Sequence, residues 1–432
     1  MRKKISKGEQ MEQTFNEFLQ KGIGESADPT GTFMRLSMQK ALQSALEEER
    51  TDCLERGYYK HREETSALGR RSGYKPGRFR SAEGAVAVWK PQVRDTEEPF
   101  QSRVLEHFTK NTGALLRLVI EGYARGLSQR DVEDEFRDEK GNLLLSRNGV
   151  SRMTEELWRG YEAFKQRDLS GYELVYLFMD AVYESMRERA GLKEGILCAW
   201  GILRNGKKVM LHLALGNKES YECCIDFIRH MTKRGLKVPL TMTTDGAPGL
   251  IKAVRAAFPK SLPIRCWFHG MRNILGKVPE DAHWEVKSHL LAVRDAPTFE
   301  AGEARAQDFI RSYQRLFPSA VESFRDDLQA RLNHLKLPVE HRKKIRTTNM
   351  VERGFEEQRR RTKIIPRFFD EKSCLKLVFA ALIRAAQRWR GIRMSYKELQ
   401  AIDRLSLRLG ISKSAQTPLK NPMRLFDLAE KR

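Results

Sequence analysis

The sequence predicts an α/β protein, in which a mixed sheet with helices packed on it is combined with segments that are helical throughout. Three observations support this class. Residues 171–268 alternate strand-like and helix-like runs, and residues 270–345 contain no strand-like run. The first 65 residues or so are highly charged, with apolar residues at roughly helical spacing. Strands that alternate with helices are typical of a sheet covered by helices.

The sheet is predicted from a series of runs between Gly171 and Phe268. The run ELVYLFMD is continuously apolar before it reaches Asp180, as in a central strand that is buried on both faces. Asn205 and Gly206 separate two strand-like runs, which indicates a hairpin. The segment NKESYECCIDFIRHMTKRG predicts a helix that stops at Gly235. VPLTMTT predicts the next strand, APGLIKAVRAAF a helix, and LPIRCWF a last strand.

The pattern divides the chain into seven segments. They are an N-terminal helical region (1–65), a small basic β element with a strand at 85–93 (66–100), a helix-turn-helix-like region (101–170), the first part of the sheet core (171–268), an all-helical block (269–345), the second part of the core (346–393) and a C-terminal tail (394–432).

The charge of the chain indicates a polyanionic partner. There are 79 basic and 57 acidic residues in 432, a formal net charge of +22. Nucleic acid is the usual partner of such a chain, and an anionic membrane surface is the alternative. We find no run of about 18 apolar residues that would span a membrane. The basic start lacks the apolar core of a secretion signal, and six cysteines make no disulfide framework, so we expect a cytosolic protein.

Two short helices are predicted around a glycine-containing turn within residues 123–158. Ser128 and Asp131 have the spacing of a capping box, and a second helix is expected to begin near Ser146 or Asn148. This arrangement fits a helix-turn-helix that binds DNA, although a plain helical hairpin is the simpler interpretation. The candidate DNA-contacting residues here are Arg130, Arg147 and Arg152.

Two aspartates at predicted strand ends are candidate ligands for a cation. Asp180 and Asp245 each follow an apolar run. If the two strands are neighbours, both carboxylates lie at one edge of the sheet, where a divalent cation removes their repulsion. Mg²⁺ prefers such oxygen ligands, and paired ions of this kind support phosphoryl transfer. The alternative is that Asp245 and Gly246 only shape a turn.

A third carboxylate is expected on the helix predicted from TTNMVERGFEEQRRRTK. Glu352 is our candidate, and Glu356 and Glu357 compete with it on the same helix. The alternative is structural, because Asn349 and Glu352 have the spacing of a helix cap with its return partner.

Cys266 and His269 form a C-x-x-H pair, half of a zinc-site spacing. Since no second pair of this kind exists, a packed cysteine and a hydrogen-bonded histidine are the expected structural interpretation. Downstream lies a basic run, for which we weigh phosphate contacts against a solvated helix face. Its candidate residues are Arg359, Arg360, Arg361 and Lys363.

These blocks together resemble a known family. YLFMDAVYESMR, TTDGAPGL, IRCWFHGMRNIL and TTNMVERGFEEQRRRTK occur in the order seen in mutator-type transposases of bacterial insertion sequences. The resemblance implies an RNase H-like catalytic core with a DDE triad at Asp180, Asp245 and Glu352, interrupted by an all-helical insertion. It implies that Cys266 and His269 match the family's signature, and that the upstream helices bind the terminal repeats.

The resemblance therefore implies a transposase that binds the inverted repeats of its element. It would cleave DNA strands and transfer them with Mg²⁺, or Mn²⁺ as a substitute. We expect a homodimer or higher oligomer, acting on DNA in the bacterial cytoplasm in association with the nucleoid. The alternatives are a non-catalytic DNA-binding regulator and an RNase H-like nuclease without strand transfer.

Overall fold

The computed structural model describes residues 5–59, 69–108, 111–137, 143–187, 193–216 and 220–411. These residues form two compact units, and the division falls between Glu156 and Leu157. The part of the predicted tail that begins at position 412 lies outside the described residues.

The first unit combines helices with one β-hairpin. Its strands are β1 (Arg70–Ser81) and β2 (Gly84–Arg94), and its helices are α1 (Lys7–Glu17), continued by a π-helical turn (Phe18–Gly22), α2 (Pro29–Leu54), α3 (Arg103–His107), α4 (Gly113–Ala124), α5 (Gln129–Glu135) and the start of α6 (Arg147–Gln166).

Two small cores hold this unit together. In one, Leu42 and Leu46 of α2 pack with Phe79, Val86 and Val88 of the hairpin. The basic segment forms the hairpin of β1 and β2, of which only the second strand was predicted from the sequence.

The second small core joins α4, α5 and α6 through six buried apolar residues, Leu115, Val119, Val132, Leu145, Val150 and Met153. Helix α5 begins with the predicted capping box, in which Ser128 and Asp131 each bond the other's backbone N–H. Helix α6 begins at Arg147, within the predicted range.

The second unit contains a five-stranded sheet and the remaining helices. Its strands are β3 (Leu174–Ser185), β4 (Lys193–Leu203), β5 (Lys208–Gly216), β6 (Thr241–Thr244) and β7 (Leu262–Arg265). Its helices are α7 (Tyr221–Lys233), α8 (Pro248–Ala257), α9 (Trp267–Leu275), α10 (His283–Arg294), α11 (Phe299–Tyr313), α12 (Pro318–Arg325), α13 (Leu328–Leu332), α14 (Val339–Ile345), α15 (Asn349–Thr362), α16 (Glu371–Gln387) and α17 (Tyr396–Arg408), with 3₁₀ turns at Glu280–Ala282 and Asn333–Lys336.

The sheet is mixed, with strand order β5-β4-β3-β6-β7. β3, β4 and β5 form an antiparallel meander, and Gly206 adopts the positive φ of 77° that its hairpin turn requires. β6 and β7 add in parallel on the other side of β3. The predicted mixed α/β class is therefore confirmed.

Several strand boundaries differ from prediction, and β6, for example, begins at Thr241 rather than at Val238. β3 does not end at Asp180 but continues to Ser185, because residues 181–185 still pair with β4. β7 ends at Arg265 rather than Phe268, because Trp267 already begins α9 and its backbone N–H donates to the carbonyl of Arg346.

Helices cover both faces of the sheet. On one face, α7 and α8 pack on alternate strand residues that include Leu177, Met179 and Met242. On the other face, the rings of Tyr161 and Phe164 in α6 contact Phe379 of α16. Side chains alternate along a strand, so the even-numbered residues of β3 face this second side.

Residues 270–345 are helical or in short connections, as predicted. Their apolar core includes Val286, Leu290, Phe309 and Phe324, and Trp267 of α9 packs into it. The helix expected to be amphipathic, α16, is instead buried over the whole of residues 374–384, including Lys376 and Arg384.

Part of the segment predicted as a tail forms helix α17, which Ser395 caps. None of the described helices is long and apolar enough to cross a membrane.

Candidate active site

The two predicted aspartates lie next to each other in the sheet. β3 and β6 are neighbouring parallel strands, and their pairing ends with Met179 opposite Thr244. Asp180 and Asp245 are the next residues on the two strands. Asp180 is buried at 6% exposure, and its carboxylate accepts the N–H of Ala181 at 2.9 Å. Asp245 accepts the N–H of Ala247 at 3.1 Å, so it shapes the turn as well as ending the strand.

The start of α15 is fixed on the same face of the sheet. Thr243, two residues before Asp245, donates its hydroxyl to the carbonyl of Ile345 at 2.9 Å. The buried Thr348 hydroxyl and N–H both contact Cys266 Sγ at 3.4 Å, at the end of β7. The chain therefore passes over the ends of β6 and β7 immediately before α15 begins.

Glu352 lies in the first turn of α15, and its Oε1 accepts the Thr348 hydroxyl at 2.8 Å. The expected cap pair of Asn349 and Glu352 is wrong, because the N-cap residue is Thr348 and Asn349 is already helical. Of the two competing glutamates, Glu356 is exposed and Glu357 pairs with Arg360 and Arg361. Of these three glutamates of α15, Glu352 is therefore the one that lies beside Cys266 and His269.

Cys266 and His269 connect Glu352 to the sheet. Cys266 follows β7, is fully buried, and donates its backbone N–H to Thr244 O at 2.9 Å. One α-helical turn later, His269 Nδ1 lies 3.8 Å from Glu352 Oε1. The C-x-x-H pair thus lies at the sheet edge where β6 and β7 end, beside the candidate carboxylates.

The electrostatics of this cluster favour charged side chains. The Cys266 sulfur raises the pKa of His269 to about 9, against the effect of burial, and the charges of Glu352 and Asp180 act in the same direction. Burial would raise the pKa of Cys266, but hydrogen bonds from His269 and Thr348 outweigh it and lower that pKa below its usual value. An imidazolium at His269 neutralises part of the negative charge of the cluster.

Among the described residues, one set of three or more potential metal ligands has its ligand atoms within 4.8 Å of one another: Cys266, His269 and Glu352. Asp180 and Asp245 are outside that set, and Glu352 therefore faces the C-x-x-H pair rather than forming an equally tight group with the aspartates. Thiolate and imidazole suit softer metals, whereas the three carboxylates suit Mg²⁺ or Mn²⁺.

The basic run downstream lies on the last turns of α15. Arg359, Arg360 and Lys363 are exposed. Arg361 is different, because its side chain is only 13% exposed and pairs with Glu357 at 2.6 Å. Three of the four predicted phosphate-contacting residues are therefore accessible.

The three arginines predicted to contact DNA in the helix-turn-helix-like region are all exposed. Arg130 is in α5, whereas Arg147 and Arg152 are on the first two turns of α6. The Arg147 side chain lies 4.0 Å from Glu133, and Arg152 donates to the carbonyl of Asn148.

Three residues near the site were not predicted from the sequence. Thr348, which joins Cys266 to Glu352, directly precedes a predicted helix, but this position in the sequence does not reveal its contact with Cys266. Arg265 and Arg331 are buried arginines beside Gly246 and Gly270. Their proximity comes from contacts between residues far apart in the chain, for which no sequence signal exists.

The raised pKa of His269 predicts a specific titration. In metal-free protein, NMR of the His269 imidazole should give a midpoint near pH 9. The folded-state pKa exceeds the ordinary value of 6.5, so protonation of His269 stabilises the folded state. This contribution to the free energy of unfolding is complete below pH 6.5 and is lost as the pH rises through about 9.

Cys266→Ser should move the midpoint toward 6.5, and His269→Gln assigns the resonance. A wild-type midpoint near 6.5 would show that the Cys266–His269 interaction is absent.

Comparison with known proteins identifies the family of this chain. The profile of the family described as "Transposase, Mutator family" matches residues 10–391. The transposase for insertion sequence element IS6120 of Mycolicibacterium smegmatis is 31% identical over 274 residues, 62% of this chain and 84% of that protein. The transposase for ISRM5 of Rhizobium meliloti (strain 1021) is 28% identical over 365 residues, 84% of this chain and 89% of that protein.

A third relative, the transposase for IS256 in transposon Tn4001 of Staphylococcus aureus, is 27% identical over 354 residues, which cover 80% of this chain and 87% of that protein. The family match spans most of the chain, and the relatives are matched over most of their own length. The chain belongs to the Mutator family of transposases.

Proposed function

We propose that this transposase binds the terminal inverted repeats of an insertion sequence and cuts and joins DNA strands at a site formed by Asp180, Asp245 and Glu352. One observation carries the proposal. The pairing of β3 with β6 ends at Met179 and Thr244, the residues directly before Asp180 and Asp245, and Glu352 of α15 lies 3.8 Å from His269 at the edge where β7 ends. We interpret the mixed sheet as an RNase H-like core, and residues 269–345 as its helical insertion.

The donor set fits a hard divalent cation. Two carboxylates on adjacent strands, one of them buried, repel each other unless a cation or a proton lies between them. Asp180, Asp245 and Glu352 would hold Mg²⁺, or Mn²⁺ as a substitute. Bound there, such an ion stabilises charge on the attacking and leaving oxygens of phosphoryl transfer.

The protein's own contribution is positioning and charge neutralisation. Thr348 holds the Glu352 carboxylate at the start of α15, and His269 supplies a nearby positive charge. The exposed Arg359, Arg360 and Lys363 on the same helix would contact DNA phosphates and hold the strand in place.

Two reactions would use this site. In the first, water attacks the phosphodiester at the element end, the bond from phosphorus to the 3′-oxygen breaks, and that oxygen takes a proton to become a 3′-hydroxyl. In the second, this 3′-oxygen loses its proton and attacks a target phosphodiester, whose own 3′-oxygen leaves. No covalent bond between protein and DNA is needed.

The exposed arginines of α5 and α6 would bind the terminal repeats. The capped helix α5 and the helix α6 share the core of the α4–α6 cluster, which supports a helix-turn-helix role for this pair. Two element ends must be held together for joining, so we expect a homodimer or a larger assembly. The protein would act on DNA in the bacterial cytoplasm, in association with the nucleoid.

Removal of one carboxylate tests the catalytic assignment. Asp180→Asn and Glu352→Gln should each lower Mg²⁺-dependent cleavage of labelled element-end DNA by at least about 100-fold, while binding to the repeat persists. Asp226→Asn, at an exposed position on α7, is the matched control and should cleave normally.

Cleavage by Asp180→Asn at the wild-type rate would refute this site. A joining assay with a pre-cut end separates a transposase from a nuclease without strand transfer, and the absence of nicking by wild-type protein would favour a DNA-binding regulator.

A second variant set tests the repeat-binding helices. Arg147→Gln and Arg152→Gln should weaken binding to element-end DNA by about 1–3 kcal/mol if they contact base edges, and should bring it closer to the affinity for unrelated DNA. Fluorescence anisotropy with both duplexes at one salt concentration measures this.

Arg125→Gln is a matched control, because Arg125 is 61% exposed and pairs with a glutamate, as Arg147 does at 56% exposure. The assignment would be contradicted if all three variants lost the same affinity for element-end DNA. It would also be contradicted if the wild-type protein bound element-end DNA and unrelated DNA with equal affinity.

A further inference from the structure

A cavity beside Asp245 contains more positive charge than its surroundings neutralise. Its volume is about 470 Å³, and Gly246 and Pro248 at the start of α8 form part of its wall. Four cationic side chains line it, Lys252, Arg255, Arg265 and Arg331, against two carboxylates, Asp326 and Asp327. The lining therefore has an excess of two positive charges.

Two of these cations are buried and incompletely bonded. Arg265 is 8% exposed and Arg331 is 2% exposed. Within the described part of the chain, Nε and Nη1 of both guanidinium groups have no hydrogen-bond partner, although Arg265 Nε is in an ion pair with Asp327. Arg331 donates from Nη2 to the carbonyl of Ser323 at 3.2 Å. Buried donors without partners are uncommon in folded proteins, and each calls for an explanation.

Asp327 accounts for only part of the charge. Its carboxylate lies 3.4 Å from Arg265 Nε and 4.0 Å from Arg255 Nη2, so it is shared between two arginines. Arg331 is close enough to Arg265 to be repelled by it: burial first, and the Arg265 charge second, lower the pKa of Arg331 to about 10. Ion pairing within the protein therefore leaves Arg331 without a full counter-charge.

Glycines make room for both guanidinium groups. A Cβ on Gly246 would lie 0.5 Å from Arg265 Nη1, and a Cβ on Gly270 would lie 1.7 Å from Arg331 Nη1. Gly246, with a φ of 106°, directly follows Asp245. The guanidinium groups thus occupy space next to the candidate active site. A side chain on any other residue at position 246 or 270 would fill that space.

We propose that this cavity binds a backbone phosphate of the DNA, namely a phosphate that neighbours the phosphodiester to be cut. Arg265 and Arg331 would be its buried donors, and Lys252 and Arg255 would lie at its rim. The proposal rests on the proposed function for its choice of DNA as the source of the phosphate. Guanidinium groups bind phosphate oxygens through paired N–H donors, and the N-terminus of α8 adds a favourable dipole. In this arrangement the four cations position the DNA strand, and the carboxylates at the sheet edge act on the neighbouring phosphodiester.

Inorganic phosphate provides a test that does not depend on catalysis. Thermal unfolding of the full chain is followed without DNA or divalent metal, with chloride replaced by phosphate at constant ionic strength. Wild-type protein should gain roughly 2–4 °C in Tm at phosphate concentrations about tenfold above the dissociation constant. Phosphate also stabilises proteins nonspecifically, so the comparison between variants decides.

Arg255→Gln and Arg331→Met should lose most of this gain. Arg229→Gln is the matched control. Arg229 on α7 is 63% exposed and Arg255 is 61% exposed, and each of the two arginines pairs with an aspartate. If burial of Arg331 prevents Arg331→Met from folding, the exposed Arg255→Gln variant decides alone. An equal gain in Arg255→Gln and Arg229→Gln would overturn the proposal.

A second arm distinguishes DNA from a free anion. The affinity for element-end duplex is measured in EDTA as a function of salt concentration. Loss of one phosphate contact in Arg255→Gln should reduce the slope of log K against log salt by about one, and Arg229→Gln should leave it unchanged. A normal slope in Arg255→Gln would overturn the assignment to DNA even if free phosphate binds.

The two proposals fail separately. Wild-type protein that never cleaves DNA refutes the proposed function, whereas phosphate responses that are equal across the variants refute the cavity assignment alone.

Discussion

The parallel pairing of β3 with β6 is the constraint on which the candidate site depends. The paired register ends at Met179 and Thr244, directly before Asp180 and Asp245, and a shift of one residue would turn one of these aspartates to the opposite face of the sheet. The buried residues on both faces of β3 set this register. The apolar core therefore determines the placement of the acidic residues.

The segment from Ile345 to Glu352 fixes the third carboxylate relative to the sheet. Thr243 holds Ile345, and Thr348 binds both Cys266 and Glu352, so the first turn of α15 is tied to the ends of β6 and β7. Cys266 and His269 complete the connection. Glu352 faces His269, and the positive charge of that imidazole lies 3.8 Å from the glutamate carboxylate.

The sequence alone predicted the mixed sheet, the hairpin at Gly206, the capped helix at Ser128 and the helical block, because each depends on local periodicity or turn chemistry. It placed Asp180 at the end of a strand that in fact continues to Ser185, since the extra pairs with β4 come from tertiary structure. It could not have predicted that Thr348 binds Cys266, or that Arg265 and Arg331 share a cavity. Thr348 and Cys266 are 82 positions apart, and Arg331 and Arg265 are 66 positions apart, so a single sequence carries no information on these distances.

Anomalous diffraction at the manganese edge, from crystals of the protein bound to element-end DNA and Mn²⁺, would test the central claim most directly. We predict a peak coordinated by the carboxylates of Asp180 and Asp245, with the Glu352 carboxylate as a further ligand. A peak bound instead by Cys266 and His269, or no peak between the two aspartates, would contradict the assignment of these three carboxylates as the catalytic centre.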